Sequence, residues 1–456
     1  MQGNQPFALS LSKCGRSWFD KLTTNGENKE NSAMKGFVNL ERAKRELQQR
    51  GVDALLVTSL QGVYYLTGLP AWFTSRNRLV FILEKLSPVA AVLTADGKVS
   101  LVGPASIWEH AHETASFDAL YTSATSMHME RAQPITPTAQ GFLDTLVAAL
   151  RESKAQRIAI EAHHMSLEYH QGLTAALPGV RFSHEGKAIL ETLKLRKTPR
   201  EIELLRKASL LTEKSIAASF AEVRAGATER HIHEVVLRVL LEGGGDWNQT
   251  TVAAGAAGAN PFRVATDYVL KPGDFIRYDI GGTYEGYCSD LARVAVVGEP
   301  DREAQRLYDT LRAGEEAAVS IVKPGVTFGQ IYAAGMGYVW GHGYPQFRRG
   351  NIGHTIGIEL EEEPFITKDS TLALEPGMVI AIELPWYAVG RYGFNVEDII
   401  LVTEKGHELL SPNLSRDLYR GKSGPRGAKP AAARRPAAKR ARRPAARPSK
   451  RRRRAR

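Results

Sequence analysis

The sequence predicts two folded units in tandem, an α/β unit followed by an α+β unit. Short apolar runs alternate with helical stretches from about Gly36 to Ala175. A strongly signalled helix start at Thr198-Pro199-Arg200-Glu201 opens the second unit. Beyond Gly243-Gly244-Gly245 the pattern turns to strands, and acids recur inside otherwise apolar runs. A chain of 456 residues is long enough to give both units a core.

The segments follow in order. Residues 1–35 are polar and without period, and no apolar stretch follows a basic start, so they do not form a secretory signal. Phe7 to Gly26 resembles translated repetitive bacterial DNA. A misplaced start, with Met34 as the true one, and a disordered extension both stay open. Residues 36–175 form the first domain. Leu40 to Arg50 is a charged helix ending at Gly51, and Asp53 to Ser59 and Arg78 to Leu83 suit buried strands. Pro88 to Thr94 and Lys98 to Gly103 form a hairpin around Ala95-Asp96-Gly97. Thr138 to Arg151 is a helix and Arg157 to Glu161 a strand.

Residues 176–420 form the second domain. Thr198 caps a helix that runs to about Glu222, with Pro199 in its first turn and Glu201 closing the box. Gly226 stops the chain, and Thr228 caps a helix to about Leu241. Two more helices lie near Glu303–Val322 and Phe328–Tyr338. Residues 421–456 are mostly Ala, Pro, Lys and Arg. They lack apolar surface to offset ordering entropy, so they are expected to be disordered.

Composition narrows the function classes. No apolar run reaches the roughly 18 residues of a membrane span. Two cysteines, Cys14 and Cys288, exclude a disulfide framework and fit a reducing, cytoplasmic compartment. The tail holds 16 of the 60 Lys and Arg and no acid, leaving 44 basic against 49 acidic groups elsewhere. A mildly acidic body is no nucleic-acid binder by charge. The tail, dense at Lys450 to Arg456, suits salt-sensitive, non-specific binding of DNA or RNA.

The chemistry gathers in the second domain. A strand from Phe275 to Gly281 carries Asp279, and a turn through Gly282 to Gly286 returns the chain as Tyr287 to Val297 with Asp290. Gly353-His354-Thr355-Ile356-Gly357 offers an imidazole among small residues. Met378 to Glu383 is an apolar strand ending in an acid, and Phe394 to Val402 buries Glu397 beside Asp398. Acids so placed are costly to bury without a cation. Four carboxylates and one histidine suit two hard or borderline divalent ions.

These motifs resemble the pita-bread metallohydrolases: methionine aminopeptidase, aminopeptidase P, prolidase and the creatinase group of family M24. The matching residues are Asp279-Ile280-Gly281, Ser289-Asp290, Gly353-His354, Ala381-Ile382-Glu383 and Val396-Glu397-Asp398, in order and spacing. The likeness extends to Lys194 through Ile202 and to Tyr64-Tyr65-Leu66-Thr67-Gly68, similar to the creatinase-type N-terminal domain. It implies an α+β pita-bread domain behind a smaller α/β domain, and commonly a homodimer. It implies that Asp279 holds one metal, His354 and Glu383 the other, and that Asp290 and Glu397 bridge them. Glu383 is then the general base and proton carrier in hydrolysis of a peptide or amide bond, Xaa-Pro peptidase-like. Manganese is the first expectation for the metal, with cobalt, zinc or iron as alternatives.

Three positions depart from the family. A histidine usual after a segment like Ala259-Asn260-Pro261 is Phe262, a second seven residues after the metal-binding one is Glu361, and an arginine two residues before the last glutamate is Asn395. Phenylalanine cannot donate a hydrogen bond, and glutamate adds negative charge where imidazole would help an oxyanion. A small amide, an amino-acid-like compound or a lyase reaction therefore competes with Xaa-Pro cleavage. An altered binding protein tethered to nucleic acid is the other alternative. His342 is either a stand-in imidazole or a loop histidine. His231 and His233 are two apart on a helix and do not chelate. Cys288 suits a small buried filler, and Ala253 to Gly258 lacks the lysine of a phosphate loop.

Overall fold

The computed structural model describes residues 34–70, 88–125 and 135–424. The expectations for residues 1–33, for a strand at Arg78 to Leu83 and for the tail beyond Gly424 lie outside them.

The first unit is a six-stranded sheet. Its spatial order is Ala119–Ser123, Val99–Pro104, Ala90–Thr94, Ala54–Val57, Arg157–Ile160 and Arg181–Ser183. All four residues of Ala54–Val57 are buried, because helices cover both faces of this central strand. Leu40–Arg50 and Leu60–Thr67 pack Leu47 and Val63 against Leu55 and Val57 on one face. Phe142–Ser153 packs Leu146 and Leu150 against Leu56 and Ile158 on the other. The expected hairpin forms, with Ala90–Thr94 antiparallel to Val99–Pro104.

Two details differ from the sequence pattern. The helix expected from Thr138 starts at Phe142. Thr138 instead bonds the strand end: its backbone N–H donates to the Thr122 carbonyl and its hydroxyl accepts from the Thr122 N–H. Helices Leu167–Ala176 and Gly186–Leu195 carried no clear signal.

The second unit is built on a ten-stranded sheet. Helix Pro199–Phe220 has the expected capping box, with Thr198 and Glu201 each bonding the other's backbone, a device of about 1 kcal/mol. With Glu229–Glu242 it buries Leu205, Ile216 and Val236 against Tyr278 and Ile280. Helices Arg302–Ser320 and Phe328–Gly341 bury Leu311 and Val339 against Ile380, Ile382 and Ile400. Strand Tyr419–Gly421 runs parallel to Leu291–Val297, and the Lys422 N–H donates to the Val223 carbonyl. The folded body thus includes the first residues of what composition alone marks as tail.

The two units share a core. The Tyr64 hydroxyl donates to the Glu285 carbonyl at 2.7 Å, and Phe37 meets Tyr287 edge-on at 5.1 Å. The Tyr64-Tyr65-Leu66-Thr67-Gly68 motif is therefore a joint: the Tyr65 hydroxyl reaches the Leu193 carbonyl, and Gly68 ends its helix in the left-handed region.

Candidate metal centre

Strand register sets the site. Phe275–Tyr284 pairs antiparallel with Leu291–Val297, placing Asp279 opposite Ala292. Ala292 in turn stands opposite Glu397. Glu397–Val402 pairs with Val379–Glu383, placing Glu397 opposite Glu383. Directly paired residues share a face, so Asp279, Glu397 and Glu383 lie in one row across the sheet. His354 stands opposite Ala381, two residues before Glu383 and on the same face. Asp290 occupies the break between Tyr287–Cys288 and Leu291–Val297, which the sequence pattern had joined into one strand.

Gly353 explains why its strand can come so close. Its φ is +138°, and a Cβ there would lie 2.0 Å from the Ala381 carbonyl oxygen. Only glycine lets the backbone cross at that point and present His354 to the acids.

The five residues are not equivalent. Asp290, His354 and Glu397 form a buried group whose ligand atoms lie within 4.8 Å of one another. His354 Nε2 is 3.9 Å from Asp290 Oδ2 and 3.7 Å from Glu397 Oε1. His354 Nδ1 lies 3.0 Å from the Thr355 carbonyl oxygen. A proton on Nδ1 donates there and frees the Nε2 lone pair for a cation. Asp290 Oδ1 and Glu397 Oε1 are buried with no hydrogen-bond partner. Buried carboxylate oxygens without donors, beside an imidazole lone pair, fit a divalent cation.

Asp279 and Glu383 stand outside that group and are held by guanidiniums. Arg277 Nη1 donates to Asp279 Oδ2 at 2.6 Å. Arg349 Nη2 donates to Glu383 Oε1 at 3.0 Å, and Asn395 Nδ2 to Glu383 Oε2 at 3.1 Å. Arg277 is fully buried, and it also donates to the carbonyls of Gly258, Asn260 and Pro261. It thereby ties the small-residue loop after Ala254 to the site. Its signal was present in sequence as a base two residues before Asp279 on one strand face. Arg349 had none, because it arrives from a turn.

Electrostatics expose the same strain. Burial, and then the neighbouring acids, push Asp290 and Glu397 well above the ordinary carboxylate range. Burial raises Asp279 to about 6 although Arg277 opposes it. Glu361 acts on all three as a further negative charge, so this exposed residue looks onto the centre. Phe262 is 80% exposed on the loop that Arg277 anchors. His342 points elsewhere: it ends helix Phe328–Gly341, stacks on Tyr338 at 3.9 Å and bonds the Tyr338 carbonyl. His233 bonds Thr250 and His231 bonds Glu222, so they do not converge. Burial pushes the Cys288 thiol up to about 12, which suits a filler rather than a nucleophile.

Comparison with known proteins identifies both units. The model of metallopeptidase family M24 matches residues 203–404, and that of the creatinase/prolidase N-terminal domain matches residues 39–193. An uncharacterized peptidase of Staphylococcus saprophyticus is 28% identical over 375 residues, 82% of this chain and 98% of its own length. An uncharacterized peptidase of Staphylococcus aureus is 29% identical over 373 residues, 80% and 96%. Among solved structures, the dipeptidase PepE of Mycobacterium ulcerans superposes with a TM-score of 0.70 at 27% identity, covering 84% of this chain and 97% of that one. The X-Pro aminopeptidase of Thermotoga maritima shares the fold with a TM-score of 0.68 at 24% identity, covering 84% and 99%.

Proposed function

Because the chain belongs to metallopeptidase family M24, with a creatinase/prolidase N-terminal domain ahead of the M24 domain, we propose that it hydrolyses a peptide or amide bond in a small substrate, in the manner of an Xaa-Pro peptidase. Its fold is the α+β pita-bread arrangement behind a smaller α/β domain. The observation that carries the proposal is the pair of orphaned buried oxygens, Asp290 Oδ1 and Glu397 Oε1, beside His354.

Asp279, Asp290, His354, Glu383 and Glu397 are the assigned ligands for two divalent ions, manganese first. Such ions lower the pKa of water into the neutral range and polarise a carbonyl. Glu383 is assigned as general base. Its carboxylate is oriented by Arg349 on one oxygen and Asn395 on the other. It accepts a proton from water and returns it to the leaving nitrogen. Phe262 offers exposed apolar surface on the loop that Arg277 anchors and Glu361 negative charge, which favour a substrate with an apolar side chain and a free amino group over an anionic one. The same two residues support a second reading, a small amide or amino-acid-like substrate in place of an Xaa-Pro peptide.

A homodimer in the cytoplasm completes the proposal, and sedimentation velocity tests the dimer. Among the described residues no helix is long and apolar enough to cross a membrane. The deciding experiment treats the protein with chelator, restores Mn2+, and assays Xaa-Pro dipeptides, other dipeptides and small amides. Metal-dependent release of an amino acid is expected. Hydrolysis that persists in chelator, or none with any substrate, overturns the reading.

A further inference from the structure

The candidate metal centre straddles a seam in the sheet. Asp279 lies on Phe275–Tyr284 and Asp290 just ahead of Leu291–Val297, whereas His354, Glu383 and Glu397 come from the strands on the other side. Six residue pairs join Phe275–Tyr284 to Leu291–Val297, and five join Val379–Glu383 to Glu397–Val402. Across the seam there is one pair, Ala292 with Glu397. Farther along, Ala295 to Val297 pair with Tyr419–Gly421 instead, so the two halves diverge. A single antiparallel pair leaves the angle and spacing of the two strands loose, yet Asp290 and Glu397 must both reach one ion.

Arg293 supplies the missing ties. It follows Ala292 on its strand and points to the face opposite the acids, as Asp398 does beside Glu397. Its side chain is buried, and all five of its N–H groups are used. Nη1 donates to the Ala292 carbonyl at 2.9 Å and to the Glu397 carbonyl at 2.8 Å, one on each side of the seam. Nη2 donates to Asp398 Oδ1 at 2.8 Å and to the Leu414 carbonyl at 3.1 Å, and Nε donates to the Ser415 carbonyl at 2.9 Å. Asp398 is held in turn by the Ser411 hydroxyl at 2.9 Å and by Arg416 Nε at 2.6 Å. A planar fork with donors in fixed directions sets distances that a flexible ammonium cannot.

We infer that Arg293 is the positioning residue for Asp290 and Glu397: its guanidinium, clamped by Asp398, holds the two halves of the sheet at the separation an ion needs, working from the face opposite the acids. This rests on the metallopeptidase reading and adds a residue that acts on the site through the backbone.

The test is an Mn2+ binding isotherm on the full chain, with free Mn2+ followed by its electron paramagnetic resonance signal, beside thermal melts of the metal-free proteins. Arg293→Lys keeps the charge but has three donors in place of five. It should melt cooperatively and bind Mn2+ about 10–100-fold more weakly than wild type. Asp398→Asn leaves Arg293 in place and removes the charge that clamps it, and should weaken binding by about tenfold. It carries the test if the lysine variant does not fold. Glu315→Gln is the control. Glu315 is buried on Arg302–Ser320 in the same cluster and lies 3.0 Å from Arg416 Nε, but its carboxylate bonds neither strand. That variant should keep its Mn2+ affinity within about threefold. Wild-type affinity in either folded seam variant overturns the inference, and so does an equal loss in Glu315→Gln, which would make the effect one of general packing. Failure of both seam variants to fold would make Arg293 a core residue and overturn it too. Absence of Mn2+ binding by wild type overturns the metallopeptidase reading itself.

Discussion

Glu383 and Glu397 face each other across neighbouring strands and are joined by one amide. Asn395 Nδ2 donates to Glu383 Oε2 at 3.1 Å and to Glu397 Oε2 at 3.4 Å. Two acids in direct register repel unless a donor or a cation lies between them. Asn395→Ala removes that donor. It should lower metal affinity or kcat by about 10–100-fold, the usual cost of losing a hydrogen bond to a metal ligand. Metal titration alongside steady-state kinetics measures it, and wild-type values in both would remove Asn395 from the site.

Asp290→Asn and Glu397→Gln should each reduce turnover to background. Both carboxylates are raised far above their ordinary range by burial and like charge, so the neutral amides relieve repulsion in the metal-free protein. The metal-free variants should therefore melt no lower than metal-free wild type, while losing the stabilisation that Mn2+ gives. Full activity in either variant contradicts the ligand assignment.

The resemblance to the family leads to an expectation of histidines where this chain has Phe262 and Glu361. Phe262→His together with Glu361→His should raise kcat/KM for Xaa-Pro dipeptides relative to other substrates, by about tenfold or more, because an imidazole supplies a donor and removes a negative charge. An unchanged ratio would show that these positions do not set specificity.

Acid stability should depend on Glu362. Burial alone drives its carboxyl up, but the ammoniums of Lys194 and Lys197, at 3.4 and 2.9 Å, outweigh burial and hold it at about 2. Folded, the group binds fewer protons than unfolded in that range. Its contribution is fully present above its ordinary value of 4.5 and is lost as pH falls toward about 2, on the order of 3 kcal/mol. Urea midpoints should fall through that window in wild type. In Glu362→Gln they should be lower at neutral pH and flatter below it. Parallel curves would assign the acid sensitivity elsewhere.

The basic tail should be separable from turnover. Strand Tyr419–Gly421 and Lys422 are bonded into the body, so the cut belongs after Gly424. Deleting residues 425–456 should leave kcat unchanged and abolish DNA retention at physiological salt, since it removes 15 Lys and Arg from a stretch without a single acid, the densest source of counterion release. Undiminished DNA binding by the truncated protein would refute a role for the tail.

Sequence alone determined the order of the elements and the types of the ligand residues. Caps, glycines and apolar runs are local signals, so helices such as Pro199–Phe220 and the strands bearing Asp279, Glu383 and Glu397 were legible. Acids in apolar strands announced a cation because burying them otherwise is costly. Tertiary structure decided how the five residues divide. Strand register placed Asp290, His354 and Glu397 together, and it set Asp279 and Glu383 beside guanidiniums from their own strand and from a distant turn. No local pattern encodes where Arg349 ends, because its distance to Glu383 depends on the pairing of strands far apart in the chain.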